Sequence, residues 1–287
     1  MKVIKYFFEY ILIKFLFLIF KILDYEKASN LGEKIGRLFG PIFRSKNKIT
    51  NNLIQTNVGK SEEERNKIIN SMWGNYGRIL AEYNFLERFK KGSLNSYIKI
   101  KGLEHLEKIK ENKKQVVFIS GHFNNFELMA MQIDNFGIDV AAIYRPLNNF
   151  FLNKTMENIR KNNICRNQIK KGKSGTRQLI EMFKNGYSIA LMIDQRVSEG
   201  IKTKLFDKDC LTTTIPAQLV KKYNCDVVPV YIERNSNINF TLHFYEPLNF
   251  EKGLSTFDIT SKLNLILEKM ILKNPDQWIW THDRWKK

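Results

Sequence analysis

The first apolar segment of the chain, residues 3–23, reads VIKYFFEYILIKFLFLIFKIL. Its length is close to that of a helix that crosses a bilayer. Four charges interrupt it, at Lys5, Glu9, Lys14 and Lys21. On a helix the first two share one side and the last two lie nearly opposite, so no single polar stripe forms. We expect residues 1–24 to form an apolar, membrane-associating helix. The pattern leaves open whether this helix spans the membrane, lies on it or packs on the domain.

Apolar residues then recur at spacings of three and four through residues 25–89, which is the periodicity of amphipathic helices. Ser61 precedes three glutamates, and this combination predicts a helix start. The serine hydroxyl accepts hydrogen bonds from free N–H groups, and the acids favour the positive end of the helix dipole. We predict a helical first part that extends to about residue 95, with no linker after it.

Beyond about residue 95 the hydrophobic pattern changes to short apolar runs separated by helical stretches. Apolar runs of this length suit strands buried on both faces, and the intervals are long enough for crossover helices. The predicted strands cover residues 97–100, 116–119, 140–144, 189–193 and 227–232. Residues 239–245 alternate instead, which indicates an edge or antiparallel strand. We predict a single α/β domain over residues 25–287, with a largely parallel or mixed central sheet flanked by helices.

The chain contains 47 Lys and Arg against 29 Asp and Glu, a formal net charge of +18. This charge favours anionic partners, such as nucleic acid, an anionic membrane surface or an acidic carrier protein. A lysine-rich solvated surface explains it equally well. Nucleic acid is disfavoured, because the basic residues form no recognition motif and the aromatic residues lie in apolar runs. Cys165, Cys210 and Cys225 are widely spaced and form no metal-binding or redox motif.

The strongest candidate for chemistry follows the predicted strand at residues 116–119, where the chain reads SGHFNNFE from Ser120. Catalytic groups in open α/β sheets gather at the carboxyl ends of strands. If His122 lies just before a helix and Glu127 in its first turn, Glu127 can accept a hydrogen bond from one ring nitrogen of His122. The other nitrogen can then take a proton from an attacking hydroxyl. The spacing has a second interpretation, because Asn124 and Glu127 also form a helix-start pattern in which Glu127 only caps.

The segment GHFNNFE resembles the His-x4-Asp/Glu motif of the bacterial late lipid A acyltransferases, the lauroyl/myristoyl acyltransferase family within the glycerolipid acyltransferase superfamily. The resemblance continues in order along nearly the whole chain. The matching segments are YRPLNN from Tyr144, NIR ending at Arg160, LMIDQ ending at Gln195, TTTIPA from Thr212 and QWIWTHDRWK from Gln277. Two features depart from the family: Leu205-Phe206-Asp207 stands where Phe-Phe-Gly is common, and the first helix carries more charge.

The resemblance implies transfer of a fatty acyl group from an acyl carrier protein to a hydroxyl of a lipid A precursor, on the cytoplasmic side of the bacterial inner membrane. It implies that His122 takes the hydroxyl proton and that Glu127 orients the imidazole. Arg145 and Arg160 are candidates for binding phosphate, with a structural salt bridge as the alternative for each. Asp194 is expected to position Arg160 or a polar group of the substrate, unless it is a turn residue. No metal or cofactor is implied.

Two other functions stay open at the sequence level. One is an acyltransferase that acts on another lipid acceptor, such as a phospholipid or glycolipid, because acceptor choice depends on pocket shape. The other is a membrane-anchored binding protein without catalytic activity. The three tryptophans of the closing segment, Trp278, Trp280 and Trp285, are expected to pack in the core rather than anchor the protein at an interface.

Overall fold

The computed structural model describes residues 2–43 and 46–286 of the chain. Its first part is helical: α1 covers Lys2–Ile22, α2 Tyr25–Phe43, α3 Lys46–Gln55, α4 Glu62–Glu82 and α5 Leu86–Lys90. Single turns of 3-10 helix cover Tyr83–Phe85 and Asn95–Tyr97. The first strand follows the second of these turns directly.

Helix α4 begins where its sequence indicates. The Ser61 hydroxyl accepts a hydrogen bond from the Glu64 N–H at 3.1 Å, and the Glu64 carboxylate accepts one from the Ser61 N–H at 3.3 Å. This reciprocal arrangement satisfies donors that have no partner inside the helix.

Helices α2 and α4 approach each other closely through glycine. A Cβ atom added at Gly77 of α4 would overlap the carbonyl oxygen of Gly32, and one added at Gly36 of α2 would overlap the carbonyl oxygen of Trp73. Both obstacles are backbone atoms, which cannot move aside as the end of a side chain can. Helices α2 and α4 therefore form a tightly packed pair within the helical first part.

The central sheet contains seven strands in the order β1-β9-β8-β2-β5-β3-β4. Strands β8, β2, β5, β3 and β4 run parallel to one another, while β9 is antiparallel to β8 and parallel to β1. A separate antiparallel hairpin is formed by β6 and β7. The strands are Ile98–Lys101, Val117–Ser120, Val140–Tyr144, Asn167–Lys170, Ser188–Met192, Ile201–Leu205, Lys208–Thr212, Val227–Arg234 and Phe240–Phe244, numbered β1 to β9 in that order.

The predicted fold class, an α/β domain with a largely parallel sheet flanked by helices, is confirmed. The remaining helices are α6 to α11, at Leu103–Glu111, Glu127–Asn135, Phe150–Asn163, Lys173–Lys184, Ile215–Tyr223 and Thr256–Lys273. The alternating run at residues 239–245 forms the antiparallel strand β9, but this strand lies inside the sheet between β8 and β1 rather than at an edge. Strands β4, β6 and β7 were not predicted, because their sequences NQIK, IKTKL and KDCLT are polar or short.

Helix α1 has one face on the domain and one face exposed. Phe20 is fully buried, and Phe7 and Phe151 of α8 meet edge to face with ring centroids 5.7 Å apart. The large apolar side chains on the other face are exposed: Val3, Ile4, Phe8, Ile11, Leu12, Phe15, Leu18 and Ile22. Within residues 2–43 and 46–286, no helix is both long and apolar enough to cross a membrane, which corrects the transmembrane alternative for this segment.

The close contact between α2 and α4 predicts the effect of a single methyl group. We expect Gly77→Ala to lower the free energy of unfolding by roughly 1–3 kcal/mol, because the added Cβ must displace backbone. Denaturant unfolding would measure this. Asn70→Ala, at an exposed position of the same helix, serves as the control and should change stability by less than about 0.5 kcal/mol. Equal stabilities of the two variants would contradict this close packing of α2 against α4.

Candidate active site

The carboxyl ends of neighbouring parallel strands carry the side chains of the site. His122 follows β2, Asp194 follows β5 and Arg145 follows β3, and these three strands are adjacent in the sheet. They border a cavity of 670 Å³, whose lining includes His122, Glu127, Arg145 and Arg160. Four of the five residues singled out from the sequence thus line one cavity, and the fifth, Asp194, lies buried against His122.

The loop between β2 and α7 has a conformation that its asparagine permits. Asn124 adopts a φ of 40°, in the left-handed region that asparagine tolerates better than most residues. Its side-chain amide donates to the Ile232 carbonyl oxygen at 3.2 Å and to Gln277 Oε1 at 2.6 Å. Helix α7 begins at Glu127 without a side-chain cap, so the interpretation of Asn124 and Glu127 as a capping pair is wrong.

The partner of His122 is Asp194. The His122 Nδ1 lies 2.8 Å from Asp194 Oδ1, and the His122 backbone N–H donates to Asp194 Oδ2 at 2.8 Å. The indole N–H of Trp278 donates to the same Oδ2 at 2.9 Å. Since a carboxylate only accepts, Nδ1 of His122 carries the proton in this pair, and Nε2 keeps its lone pair.

This geometry corrects two expectations from the sequence. Asp194 accepts the orienting hydrogen bond of His122, which was expected of Glu127. Glu127 in turn positions Arg160, a role that was expected of Asp194. Glu127 Oε1 accepts a hydrogen bond from Arg160 Nε at 2.8 Å and lies 2.7 Å from the Arg160 Nη2 atom. The spacing of four residues between His122 and Glu127 suggested a direct contact, but α7 carries Glu127 towards α8 instead.

Tyr83 completes the cluster around Glu127. Its buried hydroxyl donates a short hydrogen bond to Glu127 Oε1, and Arg160 Nη2 donates to the Tyr83 oxygen at 3.3 Å. Burial by itself lowers the pKa of Arg160, but the Glu127 carboxylate outweighs it and the guanidinium pKa rises. The ion pair therefore stays charged although it is largely removed from solvent. No sequence signal pointed to Tyr83, which lies in the helical first part.

The charges of the His122–Asp194 pair stabilise each other. Burial alone would lower the pKa of His122, but the Asp194 carboxylate and its hydrogen bond raise it above the ordinary histidine value. Burial alone would raise the pKa of Asp194, yet His122 and the hydrogen bonds from His122 and Trp278 lower it to about 2. Asp194 is therefore ionised throughout the neutral range, and His122 is a stronger base than a free imidazole.

Arg145 differs from the other site residues because it is exposed. It lies at the mouth of the cavity, and it makes no hydrogen bond or ion pair to any residue in the described part of the chain. The structural salt bridge considered for Arg145 is thus absent among residues 2–43 and 46–286, while the one considered for Arg160 is present.

Beyond the polar groups the cavity is apolar. Its lining there includes apolar side chains from the strands and from α7: Phe118, Ile119, Met129, Ala130, Ile133, Ala142 and Ala190. Among the residues that the structure describes, no group of three or more His, Cys, Asp or Glu side chains is arranged to hold a metal ion. The arrangement suits a base that acts on a polar group next to an apolar chain.

The family model for bacterial lipid A biosynthesis acyltransferases matches residues 1–287. The chain belongs to this family.

Individual relatives are distant. The lipid A biosynthesis palmitoleoyltransferase of Escherichia coli is 23% identical over 269 residues, which cover 92% of this chain and 86% of that protein. The lauroyltransferase of the same organism is 23% identical over 273 residues, covering 92% and 87%. A solved 1-acyl-sn-glycerophosphate acyltransferase from Thermotoga maritima superposes with a TM-score of 0.44 at 15% identity, over 91% of this chain and 100% of that one.

The contact between His122 and Asp194 in this acyltransferase predicts a change in acidity. Asp194→Asn removes the carboxylate that raises the pKa of His122, so burial then dominates and the pKa should fall below 6.5. An NMR titration of the histidine ring protons would measure it. Asp226→Asn is the control, because Asp226 binds the exposed Lys114 at 2.7 Å and should leave the pKa of His122 unchanged. An unchanged His122 pKa in Asp194→Asn would contradict the pairing.

Proposed function

We propose that this acyltransferase moves a fatty acyl chain from the thioester of an acyl carrier protein to a hydroxyl of a lipid A precursor. The observation that carries the proposal is His122, held through Nδ1 by buried Asp194 beside a cavity with an apolar interior. The family supports acyl transfer in lipid A biosynthesis. The carrier-protein donor and the roles of the residues are our inference.

In the proposed reaction, His122 is the general base. Its Nε2 has no hydrogen-bond partner among the described residues, so it can accept the proton of the acceptor hydroxyl as the oxygen attacks the thioester carbon. The positive charge that then develops on the imidazole is offset by Asp194. A positioned base of this kind contributes roughly 10²–10⁴ in rate.

Glu127 acts through Arg160 in this scheme. The Glu127 carboxylate holds the guanidinium at the cavity wall, and it also favours the protonated form of His122 electrostatically. Arg160 and Arg145 would bind phosphate of the acceptor or of the phosphopantetheine arm. Arg145 suits that role because its guanidinium has no protein partner among residues 2–43 and 46–286, and a guanidinium fork matches phosphate oxygens.

An anionic membrane surface is the proposed site of action. The exposed face of α1 carries a continuous row of apolar side chains, and α2 adds exposed Leu38, Phe39 and Ile42. A net charge of +18 favours anionic lipid, and the same charge favours an acidic carrier protein. We infer that α1 lies on the cytoplasmic leaflet with the cavity accessible from the aqueous side.

The proposed base predicts which histidine the reaction needs. His122→Ala should lower the turnover of acyl carrier protein thioester and tetra-acylated lipid A precursor by roughly 10²–10⁴. His243→Ala is a matched control, because His243 also pairs with a carboxylate, Glu233, at 2.7 Å, but it does not line the cavity. Mass spectrometry of the lipid product would follow the reaction. Full activity of His122→Ala would contradict the mechanism, and a wild-type protein that modifies only another lipid would contradict the acceptor.

The exposed face of α1 predicts membrane binding by that helix. Phe8 and Phe15 are 67% and 58% exposed, and burial of one large apolar side chain contributes roughly 1.5–3 kcal/mol. Phe8→Ser with Phe15→Ser should therefore weaken binding to vesicles containing anionic lipid by at least about 100-fold in a sedimentation assay. Leu265→Ser with Leu272→Ser, which removes two exposed apolar side chains from α11, is the control and should bind as the wild type does. Equal binding by both double variants would overturn the role of α1.

A further inference from the structure

A second histidine lines the same cavity and has no role in the proposed proton transfer. His282 belongs to the C-terminal segment. The charge of Asp194 acts to raise the pKa of both His282 and His122. Its Nε2 accepts a hydrogen bond from the backbone N–H of Arg196 at 3.2 Å. Unlike His122, His282 has no hydrogen bond to a carboxylate of any described residue.

This contact fixes the tautomer of His282. Because Nε2 accepts from an N–H group, the proton of the neutral ring must be on Nδ1. Burial lowers the pKa of His282 below the ordinary histidine value, so the ring is neutral at neutral pH. Nδ1 is then a hydrogen-bond donor, and it has no protein acceptor in residues 2–43 and 46–286. His122 and His282 therefore line one cavity with opposite capacities: Nε2 of His122 offers a lone pair, and Nδ1 of His282 offers an N–H group.

The backbone around His282 is held firmly. Asn52 donates to the carbonyl oxygens of Trp280 and His282 at 2.9 and 3.0 Å. The fully buried Arg284 donates to the Leu211 carbonyl oxygen at 2.6 Å. A donor fixed in this way needs no rearrangement when charge develops nearby, which is the requirement for electrostatic stabilisation of an oxyanion.

We propose that His282 donates a hydrogen bond from Nδ1 to the thioester carbonyl oxygen as that oxygen becomes negative. This inference rests on the proposed acyl transfer. The acceptor oxygen forms a bond to the carbonyl carbon while His122 takes its proton, and the carbonyl electron pair moves to the oxygen that His282 binds. When the pair returns, the carbon–sulfur bond breaks, and the leaving thiolate takes the proton from His122. His282 stays neutral throughout.

Two conservative substitutions separate this role from a structural one. The Nδ2 amide of Asn can occupy the place of the histidine Nδ1, whereas the terminal amide of Gln reaches the place of Nε2. His282→Asn thus keeps a donor at the place of Nδ1, and His282→Gln keeps an acceptor for the Arg196 N–H. We expect His282→Gln to lower kcat by about 10²–10³, the usual effect of losing one oxyanion donor, with little change in KM. His282→Asn should stay within about tenfold of the wild type.

The opposite order of the two variants would overturn the proposal, because it would assign His282 to holding the Arg196 turn. A second measurement does not depend on turnover. With a ¹³C-labelled acyl carrier protein thioester bound in the absence of acceptor, the carbonyl stretch should lie at lower frequency in wild type and His282→Asn than in His282→Gln. Identical frequencies in all three proteins would also overturn it. A wild-type protein that transfers no acyl group contradicts the proposed function itself, whereas an active wild type with an equally active His282→Gln contradicts only the role of His282.

Discussion

The carboxylate of Asp194 joins three parts of the chain that are distant in sequence: the end of β5, the loop after β2 and the C-terminal segment. It is 2% exposed, and a buried charge is costly unless hydrogen bonds and an opposite charge compensate for it. His122 supplies two of its contacts and Trp278 the third. The orientation of the proposed base is therefore fixed by a tertiary contact. The C-terminal segment, which also carries His282, becomes part of the site for the same reason.

A second buried charge connects the helical first part to the sheet. Glu82, at the end of α4, is fully buried and accepts from Arg234 of β8 at 2.7 and 3.1 Å. It also accepts from Ser29 of α2 at 2.8 Å and from Asn125 of the loop after β2 at 3.1 Å. Removing one partner from such a pair is expensive, roughly 3–5 kcal/mol, because the other charge stays buried. The ion pair of Glu82 and Arg234 fixes the position of the next residue, Tyr83, whose hydroxyl donates a hydrogen bond to Glu127.

Asn149 connects helix α1, which carries the exposed apolar face, to the mouth of the cavity. Asn149 follows the cavity-lining residues 145–148, and its side-chain amide donates to the Tyr6 carbonyl oxygen at 2.8 Å and to Glu9 at 3.1 Å. Glu9 is unfavourable on an apolar helix when α1 is considered alone, and this contact gives it a function. In the proposed reaction, a protein that lies on a membrane through α1 would therefore hold the loop bearing Arg145 near the lipid surface.

The sequence by itself determined the elements with strong local signals. The helix start at Ser61, the apolar strands β2, β3, β5 and β8, and the strand–turn–helix around His122 all follow from periodicity or capping, which depend on neighbouring residues. Family resemblance along the chain added Arg145, Arg160 and Asp194. The polar strands β4, β6 and β7 carried no such signal, because edge and hairpin strands are not buried on both faces.

The tertiary structure decided which side chains meet. His122 and Glu127 are five positions apart, but α7 begins at Glu127 and directs its side chain towards Arg160 and Tyr83, so sequence spacing predicted the wrong partner. Asp194, 72 positions away from His122, is its partner because β2 and β5 are adjacent parallel strands that end at the same edge of the sheet. Tyr83 reaches the site from the helical first part and His282 from the C-terminal segment. Long-range contacts of this kind arise from strand order and packing, which local sequence patterns do not encode.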